Sequence, residues 1–337
     1  MSVELSGLIV DKEIGQGGFG VVHRVLGSPV AGDARPMVLK RPKPTLDPAD
    51  IPAVLDGMRQ AVLFRDGLYP RDRQEIDKIA VWPVAMVTDH DKEVGCLLPL
   101  IPGEYSMNIP AKGNFPAKQE QRVIGYLAAP ARARNGVGYD SPDFHDDAVR
   151  LHILAKLAGA IELLHRHGLV FGDLNPNNEV FSFSPPGVLL LDCETVAHIS
   201  DSSRTLRQGH FPRWVPPEMN NRASQKKLQT FQTDVYKLGL AFVRFISGAT
   251  GATQRKELPS PVPSVVTPQL SALIGRALDP TPTVRPTAAE LRQAAEDAVR
   301  SLVAAGATNP ALRVEQMVSP AAVPVGRSVE AAGDDAG

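Results

Sequence analysis

Residues 170–180 read VFGDLNPNNEV, and residues 187–194 read GVLLLDCE. In the first stretch Asp173 and Asn178 stand on either side of Pro176, directly after an apolar pair. In the second, Asp192 sits immediately beyond an apolar run. A turn rich in Asn and Pro accounts for the first stretch by itself. It explains less well why an Asp follows so soon at the end of a strand-like segment. Carboxylate and amide oxygens at a strand end suit Mg²⁺, which takes few protein ligands and completes its shell with phosphate oxygens. A further carboxylate aimed at an acceptor can orient it or take its proton.

On the N-terminal side of these loops, DDAVRLHILAKLAGAIELLHRHG (146–168) is the strongest helix pattern in the chain. Leu151, Leu154, Leu157, Ala158, Ile161 and Leu164 share a face, two Asp open it, and His/Arg followed by Gly168 close it. On the C-terminal side, 233–247, 268–278 and 287–303 all carry the helical period. Residues 304–337 are rich in Ala, Gly, Pro and Val without period and are expected to be a disordered tail. Residues 104–142, rich in Gly, Pro, Ala and Asn, are expected to be an irregular insertion. The first hundred residues read as strands: LIVDKEIGQGGFGVVHRVLG (8–27), MVLK (37–40), IAVWPVAMV (79–87) and VGCLLPLI (94–101). One helix, DPADIPAVLDGMRQAVLFRDGL (47–68), interrupts them. The fold class is therefore α+β, with a β-rich part over 1–100 and a mainly helical part over 101–303.

The chain has 337 residues, enough for two domains or one large two-lobed one, with 43% hydrophobic and 22% charged residues. A net charge of -1 gives no footprint for nucleic acid or for an anionic membrane. Cys96 and Cys193, both inside apolar stretches, make neither a disulfide framework nor a thiolate metal site and suit a reducing compartment. The first residues show no signal-peptide core, and no apolar run approaches the ~18 residues of a membrane span. The expected location is cytoplasmic.

GQGGFGVV (15–22) fits G-x-G-x-x-G-x-V at Gly15, Gly17, Gly20 and Val22. A dinucleotide-binding glycine loop opens a helix, whereas here VVHRVLG continues with β-branched residues. A hairpin tip stripped of side chains lets backbone N–H groups close over a phosphate chain, and a plain flexible turn is the competing reading. Lys40 ends MVLK and can place its ammonium beside phosphate oxygens; the competing reading is a solvent-facing Lys at a strand exit.

Taken in order, the glycine loop, Lys40, GDLNPNN (172–178), DCE (192–194), VPPE (215–218), TDVYKLG (233–239) and DPTPTVRP (279–286) resemble the protein-kinase family over about residues 8 to 300. The resemblance implies a bilobal protein-kinase-like fold, with a β-rich N-lobe, a mainly helical C-lobe and Mg-ATP between them. It implies a catalytic base at Asp173, Lys40 on the α/β-phosphates, and Mg²⁺ ligands at Asn178 and Asp192. Ile14, Gly15, Gly17, Gly18, Gly20 and Val22 would cover the nucleotide. In LPLIPG (98–103), Leu98 would be the gatekeeper, with the Pro99 carbonyl and the Ile101 N–H offered to adenine. Glu218 and Arg285 would form a buried ion pair anchoring the activation segment.

Four departures qualify the resemblance. Phe171 and Gly172 replace the His and Arg before the catalytic Asp, so a phosphate on Ser200, Ser202, Ser203 or Thr205 lacks its usual partner. Asn175 and Phe211 stand where Ser/Thr kinases keep a Lys and a Thr. Cys193 and Glu194 replace the Phe and Gly after the metal-binding Asp, Glu194 being a further metal-ligand candidate. Finally, no helix Glu identifies itself as the partner of Lys40: AVLDGMRQAVLF (53–64) offers Asp56 and Gln60, and Glu75 lies close to the next strand. Gly172, Asn175 and Glu194 are also similar to the aminoglycoside-phosphotransferase type of small-molecule kinase, which does not explain VPPE or Arg285. The mixture looks most similar to divergent bacterial protein-kinase-like proteins. Ser/Thr or self-directed phosphoryl transfer is the leading expectation, and an ATP-binding pseudokinase scaffold or a small-molecule phosphotransferase are the alternatives. Some members of that group accompany a phosphatase and a von Willebrand-type domain, the implied partners; the protein substrate is not implied.

Overall fold

The computed structural model describes residues 1–306 except 112, 115, 138–143, 145, 202–207, 222–223 and 225–227. The N-terminal part is a six-stranded sheet built from β1 (Ser2–Glu4), β2 (Ile9–Gln16), β3 (Gly20–Leu26), β4 (Met37–Pro42), β5 (Ala85–Asp89) and β6 (Lys92–Pro99). Its strand order is β1-β5-β6-β4-β3-β2, with β1 parallel to β5 and the other pairs antiparallel. The β2–β3 hairpin brackets the glycine stretch, as its β-branched residues on both sides predict.

The sequence-predicted helix is α1 (Ile51–Gly67), which buries Val54, Met58, Ala61 and Val62. A second helix, α2 (Pro70–Ile79), follows it and was not expected. Its sequence is almost wholly polar and buries only Ile76, so it carries no apolar period. Pro70 opens it, and Glu75 thus lies on a helix rather than beside a strand. The expected strand over 79–87 is also corrected, since only Ala85–Asp89 joins the sheet. The preceding Val81–Val84 is buried extended chain, in which Pro83 has no N–H to give a ladder. Val81 ties the two parts together, its N donating to Leu190 O at 2.9 Å, while Val84 N donates to Leu97 O of β6 at 2.9 Å within the N-terminal part.

The stretch 104–142 carries, in its described residues, more regular structure than expected. It holds the hairpin β7 (Ser106–Ile109) and β8 (Lys118–Gln121), a 3₁₀ turn over Ile124–Ala128, and α3 (Ala131–Val137). Then comes α4 (Asp147–Arg166), capped by Asp146 Oδ1, which accepts from Ala148 N and Val149 N. Gly168 leaves the helix end at φ +73, the left-handed turn that glycine permits. Helix α4 is buried nearly all round, each enclosed Leu or Ile contributing ~2 kcal/mol. It is the axis of the main core, shared with α5 (Phe231–Phe245), α6 (Pro268–Ala277) and α7 (Ala288–Ala304). Between α4 and α5 run β9 (Leu169–Val170), the hairpin β10 (Glu179–Phe183) and β11 (Pro186–Leu190), and β12 (Ala197–His198). The chain is thus α+β, with a sheet-rich N-terminal part and a helical C-terminal part. The expected tail lies outside the described residues beyond 306. Among the described residues no helix is long and apolar enough to cross a membrane.

Candidate active site

Lys40 is 3% exposed, which removes the reading of a solvent-facing strand exit. Its Nζ lies 2.7 Å from Asp192 Oδ1 and donates also to Glu194 Oε1. Two glycines give the strand room. A Cβ on Gly20 would lie 2.9 Å from Lys40 Cε, and one on Gly95 only 2.2 Å from the Lys40 carbonyl. Burial opposes the ammonium charge, but the carboxylates of Glu194 and Asp192 outweigh it and hold Lys40 above the ordinary lysine range.

The acids reach Lys40 through a local distortion. Asp192 leaves β11 at φ 55, ψ 39, in the left-handed region, and a 3₁₀ turn over Cys193–Thr195 follows. Thr195 Oγ1 donates to the Asp192 carbonyl at 3.0 Å and steadies that turn. A non-glycine residue held there marks a position that surrounding structure over-determines. Glu194 is thereby placed at 1% exposure against the lysine. It was a metal-ligand candidate in the sequence, and one of its oxygens is instead on Lys40. No acid of α1 does this work: Asp56 pairs with Arg59 at 2.7 Å. Glu75 faces Arg71 and Arg166. The D-x-E spacing was the available signal for Glu194.

The register of β10 and β11 sets Glu179 opposite Leu190, and Leu191 N donates to Asn178 O at 2.8 Å. Asn178 is therefore carried next to Asp192. Its side-chain amide donates to Asp173 Oδ2 at 2.8 Å, and Asn175 donates to Oδ1 at 3.1 Å. Burial pushes the Asp173 carboxyl up, the charge of Lys237 and these two amides pull it down, and the Asp192 charge adds upward. The insertion buttresses this loop, with Gly125 N donating to Pro176 O at 3.0 Å. Asp234, fully buried, accepts from Phe171 N and Gly172 N at 2.8 Å each and from His165 at 3.1 Å.

Gly172 sits at φ +75, and a Cβ there would lie 2.3 Å from the Gln208 side chain. Gln208 fills the space and donates to Val170 O at 2.9 Å. Neither Gln208 nor Lys237, whose Nζ donates to the Gly172 carbonyl, stood out in the sequence. Of the candidate phosphorylation positions, Ser200 bonds His198 at 2.7 Å, and Ser202, Ser203 and Thr205 lie outside the described residues. Glu218 and Arg285 form a bidentate pair at 2.7 Å for both contacts, with the Arg285 side chain fully buried over Tyr236.

At the hairpin tip Gly17 N donates to Gly20 O at 2.8 Å, and a Cβ on Gly17 would lie 3.7 Å from Asp192 Oδ2. The loop Gly15–Gly20, including Gly18, thus closes on the acid site, while Ile14 at its base is exposed. Val22, Val38, Leu98, Ile101, Val180 and Leu191 meet in one apolar cluster, and Pro99 closes its strand opposite Met37. The site therefore pairs an apolar surface beneath a glycine hairpin with one ammonium and a carboxylate–amide set. Among the described residues no three His, Cys, Asp or Glu gather to hold a metal by themselves. Asp192 and Asn178 fit a hard cation only if phosphate oxygens complete its shell, the preference of Mg²⁺. No protein-family model matches the chain, and no curated protein matches it.

Proposed function

We propose that the chain is a protein-kinase-like phosphotransferase that moves the γ-phosphoryl group of Mg-ATP to a Ser or Thr hydroxyl, its own included. The reading rests on one observation: Lys40 from the sheet and Asp192 from the C-terminal part meet at 2.7 Å, beside the loop carrying Asp173 and Asn178. The bidentate Glu218–Arg285 pair, implied in advance by VPPE and DPTPTVRP, supports it, as does Asp234 bonded to the backbone before Asp173.

In this reading adenine enters the apolar surface of Val22, Leu98 and Val180, near the Pro99 carbonyl and the Ile101 N–H. The glycine hairpin lifts from Asp192 to admit the phosphates, and its N–H groups close over them. Lys40 turns from Asp192 to the α/β-phosphates while Glu194 retains its hold. Asp192 and Asn178 are the residues that would hold Mg²⁺, which would supply positive charge against the phosphates. Asp173 orients the acceptor hydroxyl and takes its proton. The acceptor oxygen bonds the γ-phosphorus as the bond to ADP breaks. Catalysis is then positioning and electrostatics around a loose transition state.

Transfer of labelled γ-phosphate to the chain or to a general protein acceptor, with Mg²⁺, tests this reading. Wild type is expected to label and Asp173→Asn to lose at least about a hundredfold. Absence of labelling over a broad set of metals and acceptors would sink the enzymatic reading. A nucleotide-binding scaffold is the second reading, favoured by Lys40 being already neutralised by two acids; it gives a nucleotide-induced thermal shift without turnover.

A further inference from the structure

We propose that Lys237 is a positioning residue for this phosphoryl transfer, supplying from α5 the charge and the tether that Asn175 does not supply from the catalytic loop. The inference rests on the phosphotransfer reading and extends it.

Lys237 is an amine with no exposure at all, in a helix interior where an apolar side chain would pack without penalty. Burying an ammonium costs several kcal/mol unless partners repay it. The partners here belong to the site. Nζ donates to the carbonyl of Gly172, the residue before Asp173, and to Gln229 Oε1 at 2.9 Å. Gln229 is 2% exposed and passes the connection on, its Nε2 donating to Gly209 O at 3.0 Å. A buried relay thus runs from the catalytic loop through Lys237 and Gln229 to the segment that carries Gln208, His210 and Phe211. Gln208 makes the second tie, to Val170 O. Together they join the loop to this segment through neutral and amine donors, with Gly172 in place of an arginine.

The charge has the same destination. Asp234 on the same helix, Asp173 and Glu179 from the loop and β10, and Glu218 from the Pro217–Met219 turn before α5 all act on the ammonium. His210 faces it from the tethered segment; burial and the Lys237 charge push that imidazole down to about 4, so it stays neutral. Glu179 has no exposure, and burial pushes its carboxyl well above the usual range. Asp173 among these is the proton acceptor of the proposed chemistry. Removing Lys237 frees the Gly172 carbonyl, so the peptide that carries Asp173 loses both its tether to α5 and the facing positive charge.

The test compares full-length wild type, Lys237→Met and Lys237→Arg. The Met variant is expected to lose about tenfold or more in kcat with KM for ATP within about twofold. Lys237→Arg, which keeps a charged donor, is expected to recover most of that loss. A Met variant with kcat within about twofold of wild type, a Met variant whose loss falls on KM for ATP instead, or an Arg variant as slow as Met, overturns the proposal. A readout independent of turnover is hydrogen exchange at the Phe171 and Gly172 amides, which should speed by about tenfold or more in Lys237→Met, or in Lys237→Gln where the Met variant does not fold, and stay near wild type in Lys237→Arg. Unchanged exchange overturns the proposal, while faster exchange in a chain without wild-type transfer overturns only the enzymatic reading.

Discussion

Lys40 and Lys237 are both amines without meaningful exposure, and their surroundings drive them in opposite directions. Lys40 has two carboxylates in contact and is held above the ordinary lysine range. Burial dominates at Lys237 and pushes it down to about 8, with Asp234, Asp173, Glu179 and Glu218 restoring part of the loss. For Lys40, Glu194→Gln leaves one half-exposed acid to balance a buried ammonium. It should cost about 3 kcal/mol in urea unfolding, and much less in a Lys40→Met background. Equal costs in the two backgrounds would mean that the pair is not coupled. For Lys237 the pH dependence has a definite sign. The unfolded chain binds more protons than the folded one between about pH 8 and the free lysine value of ~10.4. Stability attributable to this group therefore rises with pH through that window. Wild type should gain about 3 kcal/mol relative to Lys237→Met from pH 8 to 10.5, at 1.36 kcal/mol per unit. A flat difference across the window would show that the amine is not buried as described.

Strands β4 and β6 pass each other more closely than a side chain allows. Lys40 pairs with Cys96 in the register, and Gly95 presents no Cβ to the Lys40 carbonyl. Gly95→Ala would put a methyl 2.2 Å from that oxygen, which is backbone and not the end of a flexible side chain. The strands must part, at a cost of about 2 kcal/mol or more, and Lys40 moves with β4. Thermal unfolding and nucleotide affinity should fall together in this variant. Retained nucleotide affinity at lowered stability would uncouple the register from the site. Elsewhere the elements follow their local codes, with Thr230/Thr233 and Thr287/Glu290 capping boxes opening α5 and α7.

At the scale of the whole molecule, the two parts meet through Val81 on Leu190, the apolar cluster of Val38, Met58, Val180 and Leu189, and the Lys40 ion pairs. A ligand bridging them should stabilise the whole chain. Mg-ATP at about a hundred times its Kd is expected to add ~2.7 kcal/mol, read as a rise in Tm. Mg²⁺ without nucleotide should leave Tm unchanged, because among the described residues no set of three His, Cys, Asp or Glu exists to hold it. A shift with Mg²⁺ by itself would overturn the assignment of Asp192 and Asn178 as ligands that need phosphate. Removing Arg285 tests the other pole of the molecule. Arg285→Met leaves Glu218 without its partner and should cost about 3 kcal/mol, by the penalty for breaking a buried pair.

By itself the sequence determined the α+β class, the glycine hairpin and the helices α4 to α7, because periodicity, caps and turn residues act over a few neighbours. It also singled out Lys40, Asp173, Asn178 and Asp192, since short polar motifs at strand ends are visible without a partner. Helix α2 escaped because a polar helix with one buried residue has no period to read. Only the tertiary structure decided that Glu194, and no acid of α1, holds Lys40; that Gln208 fills the space over Gly172; and that Lys237 reaches the loop of Gly172 and Asp173. Each of these joins residues more than thirty positions apart, and their pairing depends on strand register and helix packing, which local composition does not encode.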